Sequence, residues 1–197
     1  MATRIQHPTI RVVSESRREP LVPNGVMGML IFVFTETMLF AGLISAFTII
    51  RSGAAVWPPP DQPRLPLEET ALNTLALLVS GVLLFVARRR YQRDRESAKG
   101  PLLWSMLLGG FFVLSQGAEW VALIGQGLTL TSSTLGGFFY LIVGIHGLHA
   151  VAALLLLAHT WWRIQRGWLA MSQLAAAEVF WYFVVGIWPI LYGVVYL

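Results

Sequence analysis

"GVMGMLIFVFTETMLFAGLISAF" (Gly25–Phe47) decides the class of this chain. A spanning helix needs about 20 predominantly apolar residues. This run supplies them with one charged interruption, Glu36. At 1.5 Å rise per residue, Glu36 lies roughly 16 Å beyond Gly25, near a bilayer midplane. An acidic side chain at that depth is expensive, roughly 2.5–3.5 kcal/mol on insertion scales for the related Asp. Hydrocarbon disfavours the charged form, so a neutral acid is expected. Two readings of it stay open. It fixes packing through a bond to a neighbouring helix, or it is a proton-active or partner-facing carboxyl.

The rest of the sequence agrees with a membrane class. Of 197 residues, 56% are hydrophobic and only 12% charged, about half the charged share of a soluble domain. Mean hydropathy is +0.65. There is no cysteine, which excludes a disulfide, a thiol nucleophile and a thiolate metal site. The formal charge of +4 does not point to nucleic acid, because the cations cluster beside apolar runs. Residues 1–24 are expected to form a polar cytoplasmic tail; without an apolar core and small-residue cleavage site it does not read as a secretory signal.

Charge spacing marks the spans. Residues 70–87 carry no charge, Gly100–Trp162 only Glu119, and the chain after Arg166 only Glu178. "GQGLTLTSSTLGG" (Gly125–Gly137) splits the long middle run in two. The expectation is an all-α integral membrane protein, a bundle of five transmembrane helices near 25–51, 68–90, 101–125, 133–163 and 174–196, forming one unit over 25–197. With five spans, twelve of the fourteen Lys and Arg fall on one side, leaving Arg51 and Arg64 on the other. The positive-inside rule then places the N-terminus in the cytoplasm and the C-terminus outside. The outer loop "RSGAAVWPPPDQPRLPLEE" (Arg51–Glu69) is stiffened by proline, and Trp57 suits the headgroup level.

Candidate chemistry is sparse. "GIHGLHAVAALLLLAHT" (Gly144–Thr160) places His146 and His149 at i, i+3, on one side of span 4. Counting from Ser133, they lie roughly 20 and 24 Å from the outer face, within about two turns of the depth of Glu36. A hydrogen bond from Glu36 to His149 or His146 is therefore expected between spans 1 and 4. His146 and His159 have a separation that suits two stacked haems. Bis-histidine sites need matching histidines on a second helix, however, and outside this helix the chain has only His7. Zinc or copper lacks a third ligand. No catalytic and no metal-ligating residues are assigned. Glu119 in "SQGAEW" (Ser115–Trp120) is expected to anchor span 3, meeting interfacial water or the Trp57 loop. Glu178 is expected to open span 5, where a helix N-terminus favours negative charge.

The chain resembles subunit III of the haem–copper oxidases, the cytochrome c and quinol oxidase group. The markers are "GMLIFVFTETMLFAGLISAF" (from Gly28), "WPPP" (from Trp57), "LPLEETALNTLALLVSG" (from Leu65), "SQGAEW", "GIHGLH" and "FWYFVVGIWPILYGVVYL" (from Phe180), in order, over nearly the whole chain. The resemblance implies a non-catalytic subunit that packs on subunit I, beside subunit II, in a bacterial inner membrane. Haem and copper would then sit in partner subunits, and this chain would hold phospholipid and support proton uptake. It implies that Glu36 is the family's carbodiimide-reactive carboxyl, that His146 and His149 are its span-4 histidines, and that Arg163 meets a lipid headgroup. The family's usual "WHFVD" is here "WYFVV" (Trp181–Val185). Tyr182 and Val185 replace His and Asp, and the Tyr182 hydroxyl is the candidate substitute bond. Longer members carry two further N-terminal helices, so the lipid cleft is expected to be completed by another chain, formed by a shorter bundle, or open to lipid. A quinol oxidase or nitric-oxide-reductase complex is an alternative setting, and an independent proton-coupled transporter a more distant one.

Overall fold

A computed structural model describes residues 22–56, 63 and 65–197. Residues 1–21, Trp57 and Arg64 lie outside the described residues, and with them the headgroup expectation for Trp57 and most of the expected tail.

Five helices follow one another: α1 (Asn24–Gly53), α2 (Leu67–Tyr91), α3 (Arg95–Gly125), α4 (Thr134–Gln165) and α5 (Met171–Leu191). A wider π turn, Tyr192–Tyr196, extends α5. All five are long and apolar enough to cross a membrane. Their ends have local causes. Asp94 caps α3, accepting from the backbone N–H of Glu96 and Ser97. Ser133 caps α4 through Gly136 N–H. The exits of α3 and α4 share one device. Gly127 and Gly167 take φ of +92° and +72°, and the following residues bond back: Leu128 N–H to Leu123 O and Trp168 N–H to Arg163 O, both at 3.0 Å. This is the glycine-terminated helix end that satisfies orphan carbonyls.

Two helices begin earlier than their charge-free runs. α3 starts at Arg95, six residues before the expected 101, because the Asp94 cap nucleates it in polar sequence and Pro101 is carried inside it. α5 starts at Met171, where Gln173 Oε1 accepts from Ala170 N–H. Glu178 therefore lies two turns inside α5 and does not open it, which corrects its assignment to the helix N-terminus.

α5 is the centre of the bundle. Of its most apolar stretch 56% is buried, against 11% for α1. Trp181 and Trp188 are fully buried on it. Each indole N–H crosses to α2, Trp181 to Ser80 Oγ (3.1 Å) and Trp188 to Thr74 Oγ1 (2.8 Å). α2 and α3 pair tightly, with Ser105 Oγ donating to Ser80 O at 2.8 Å. Gly109 on α3 admits the Trp181 ring: a Cβ there would come within 2.4 Å of it. α1 packs on α5 and α4 through Phe40 and Phe47, its two buried residues. Most of its remaining apolar surface faces outward, including Ile31, Phe34 and Met38.

Candidate functional site

The helices bring Glu36 and His149 together. Glu36 Oε2 lies 3.0 Å from His149 Nε2, with both side chains largely shielded. This is ion-pair distance without the alignment of a well-directed ring N–H bond. The other ring nitrogen, Nδ1, is 2.8 Å from Ile145 O on its own helix. A carbonyl oxygen can only accept, so Nδ1 carries a hydrogen. Nε2 is then the ring nitrogen left to face the Glu36 carboxyl. Rings of Phe32, Phe40, Phe180 and Phe183 lie 5.7–6.3 Å from the His149 ring, so the pair sits in an aromatic cage from α1 and α5.

His146 is not a partner of Glu36 and makes no hydrogen bond among the described residues. At 100° per residue, the i, i+3 offset turns it some 60° around α4 from His149. That rotation carries it inward, where it stacks on Trp188 (5.0 Å) and meets Phe112 edge-on (6.4 Å). It is 1% exposed. His159, further along, stacks on Trp162.

Glu119 is buried and bonded within the bundle, which corrects its assignment to interfacial water. Asn73 Nδ2 donates to Oε1 at 2.7 Å, and Thr70 Oγ1 and Gln116 Nε2 donate to Oε2. Gln116 also reaches Tyr196 OH at 3.4 Å. The cause is a turn of polar residues on α2 (Thr70, Asn73, Thr74), which lies against the same level of α3.

The sequence reading missed a third acidic centre. Glu178 is 2% exposed and receives Arg88 Nη1 at 2.6 Å and Tyr182 OH at 2.9 Å. Tyr182, which stands where the family pattern has His, thus bonds one turn back along its own helix. Ninety residues separate Arg88 from Glu178, so no local pattern pairs them; an intramembrane acid opposite a basic cluster was the available signal. Arg163 closes the α4 exit, donating from Nη2 to Trp168 O at 3.2 Å. Arg166 stacks over Trp162 at 4.4 Å beside it.

Among the described residues, no three His, Asp or Glu side chains gather where they could hold a metal ion. Fold and sites together define an all-helical multi-pass membrane protein whose buried acids are each answered by another side chain of the same bundle. The family model described as Cytochrome c oxidase subunit III matches residues 12–197. A probable cytochrome c oxidase subunit 3 of Mycobacterium leprae is 33% identical, covering 88% of each chain. Cytochrome c oxidase subunit 3 of Thermostichus vulcanus is 29% identical, over 87% of this chain and 86% of its own. Subunit 3 of the cytochrome bo(3) ubiquinol oxidase of Pseudomonas putida is also 29% identical, over 87% and 84%. The chain belongs to the cytochrome c oxidase subunit III family.

Proposed function

We propose that this chain is the non-catalytic subunit III of a haem–copper terminal oxidase. In this reading it packs on subunit I, beside subunit II, while those subunits carry haem and copper. The observation that carries the proposal is the family match, which runs through all five helices. Twelve of fourteen cations lie on one side of a five-span chain, which supports a cytoplasmic N-terminus, a tail over 1–24 and an inner-membrane location. Glu36 and His149 would act together near the midplane; their 3.0 Å contact between α1 and α4 supports a role in proton uptake. Arg163 keeps a guanidinium at the end of α4 with Nε unpartnered among the described residues, which suits a phospholipid phosphate. Glu119 and Tyr182 would have structural roles, a reading supported by their bonds within the bundle.

Purification from native membranes in mild detergent tests the reading. Co-purification with a haem-containing subunit I is expected; a colourless, stable homo-oligomer would overturn it and favour a transporter. The similarity to a bo(3) ubiquinol oxidase subunit keeps a quinol-oxidising complex as the second reading. Oxygen uptake by the purified complex with reduced cytochrome c against quinol separates the two.

A further inference from the structure

The last two turns of α2 and the turn after it carry an open groove of about 280 Å³, lined by Phe85, Val86, Arg89, Arg90 and Arg93. All three arginines are exposed. The charges around them are engaged elsewhere. Arg88 pairs with Glu178, and Glu96 with Lys99. Asp94 caps α3 with both of its oxygens. Among the described residues, Arg89, Arg90 and Arg93 make no ion pair. Three guanidiniums thus line one groove, and the bundle supplies no anion to it.

The groove also has an apolar floor. Arg89 turns back along its helix, and its guanidinium carbon lies 4.9 Å from the ring centroid of Phe85, one turn deeper. Stacking uses the flat face of the guanidinium and leaves the N–H groups on its edge for an anion. Phe85 is 48% exposed, and Val82, on the turn below, 62%. At 1.5 Å per residue, Phe85 lies roughly 9 Å in from the end of α2. Positive charge at the helix end therefore gives way to bare apolar surface within two turns. A soluble phosphate would answer the guanidiniums and leave that surface uncovered. An acyl chain alone would do the reverse. A phospholipid does both, because phosphate oxygens match guanidinium edges bidentately while the chain lies along Phe85 and Val82. A zwitterionic lipid brings its own cation beside the phosphate, which three guanidiniums disfavour. Net negative charge on the headgroup is the feature selected.

We infer that the groove at the end of α2, with Arg89, Arg90 and Arg93 on its rim and Phe85 on its floor, binds an anionic phospholipid of the adjoining leaflet through its phosphate. The site is separate from Arg163 at the end of α4. It depends neither on the role proposed for that residue nor on which way the chain is oriented.

The test is photolabelling of the intact complex in nanodiscs with phosphatidylglycerol carrying a diazirine in its acyl chain, followed by mapping of labelled residues. Saturable labelling within Val82–Arg93 is expected, displaced by unlabelled phosphatidylglycerol and not by phosphatidylcholine. Arg89→Gln should weaken it about five-fold, and Arg89→Gln with Arg93→Gln about ten- to thirty-fold, the attraction of one and two basic side chains at an anionic surface. Phe85→Leu keeps every charge and removes the ring under Arg89; a fall of about two- to five-fold is expected. Arg166→Gln removes a charge from the end of α4 and should leave labelling of α2 unchanged. An equal fall in that variant would show only general attraction to a basic surface and overturn the groove. So would equal displacement by phosphatidylcholine. Displacement by inorganic phosphate would assign the site to a soluble anion, and crosslinking of this segment to another subunit would assign it to a protein; either overturns the lipid. The competition on the unaltered chain decides the matter even where a variant fails to assemble. The readout needs no oxygen uptake, so its failure is distinct from failure of the subunit III reading.

Discussion

Glu119 and Glu36 are both carboxyls in apolar helices, and the bundle treats them differently. Glu119 lies between α2 and α3 and meets three donors from two helices. Glu178, at the other end of the same packed core, is met by an arginine and a tyrosine. Glu36 stands on α1, the helix with the least buried surface, and its partner is one histidine nitrogen. The first two acids are tied into the fold from several directions. The third has a single labile contact on a loosely packed edge. Acids of one sequence thus divide into those bonded from several directions and one with a single contact.

The largest expected effect falls on the tied acids. Arg88→Met leaves Glu178 buried against Tyr182 without its cation. Removing one partner of a fully buried pair costs about 3–5 kcal/mol, and the 40% exposure of the Arg88 side chain brings the expectation to about 2–3 kcal/mol. A marked fall in the thermal unfolding midpoint in detergent would register it, whereas an unchanged midpoint would place Glu178 with Glu36 in the loose class. Glu119→Gln turns one accepting oxygen into a donor facing Asn73 or the Thr70–Gln116 side. It should cost about 1–3 kcal/mol by the same measurement.

Glu36→Gln is the matched change on the other side of the comparison. The amide keeps the shape and a donor, so stability should change by less than about 1 kcal/mol and initial oxygen uptake should stay near wild type. Carbodiimide labelling of the chain should vanish. Loss of turnover from the first cycle would move Glu36 out of the class of dispensable protonation sites.

The smallest effect is expected outside the spans. Backbone N–H groups of Ser97 and then Glu96 hold the Asp94 carboxyl below the usual carboxylate range. A carboxyl lowered in the folded state contributes stability above its unfolded value, near pH 4, and loses it as pH falls through the lower folded value. Asp94→Asn keeps a cap and should flatten this acid limb of the stability profile. A limb that persists in the variant would assign it to another carboxylate.

The helices were legible because hydrophobic run length and cation placement act locally; α1, α2 and α4 begin and end within two residues of the positions expected. Starts set by caps in polar sequence were not, as Arg95 and Met171 show. The contact between spans 1 and 4 followed from depth alone, since helix rise is fixed. Depth could not choose between His146 and His149, because rotation around α4 depends on what packs there, here Trp188 and Phe112 against Phe40 and Phe183. Arg88 and Glu178 escaped for a related reason: their meeting depends on where α5 lies across the bundle.

That position of α5 bears on how the molecule is made. During synthesis α1 to α4 enter the membrane before α5. Until α5 follows, Ser80 and Thr74 lack their indole partners and Gly109 faces no ring. α1 likewise lacks most of the surface it rests on. The early helices form a half-built pile in the insertion machinery, and the keystone arrives last. A chain truncated before Met171 would be unable to close, leaving uncovered the faces of α2 and α3 that Trp181 and Trp188 fill.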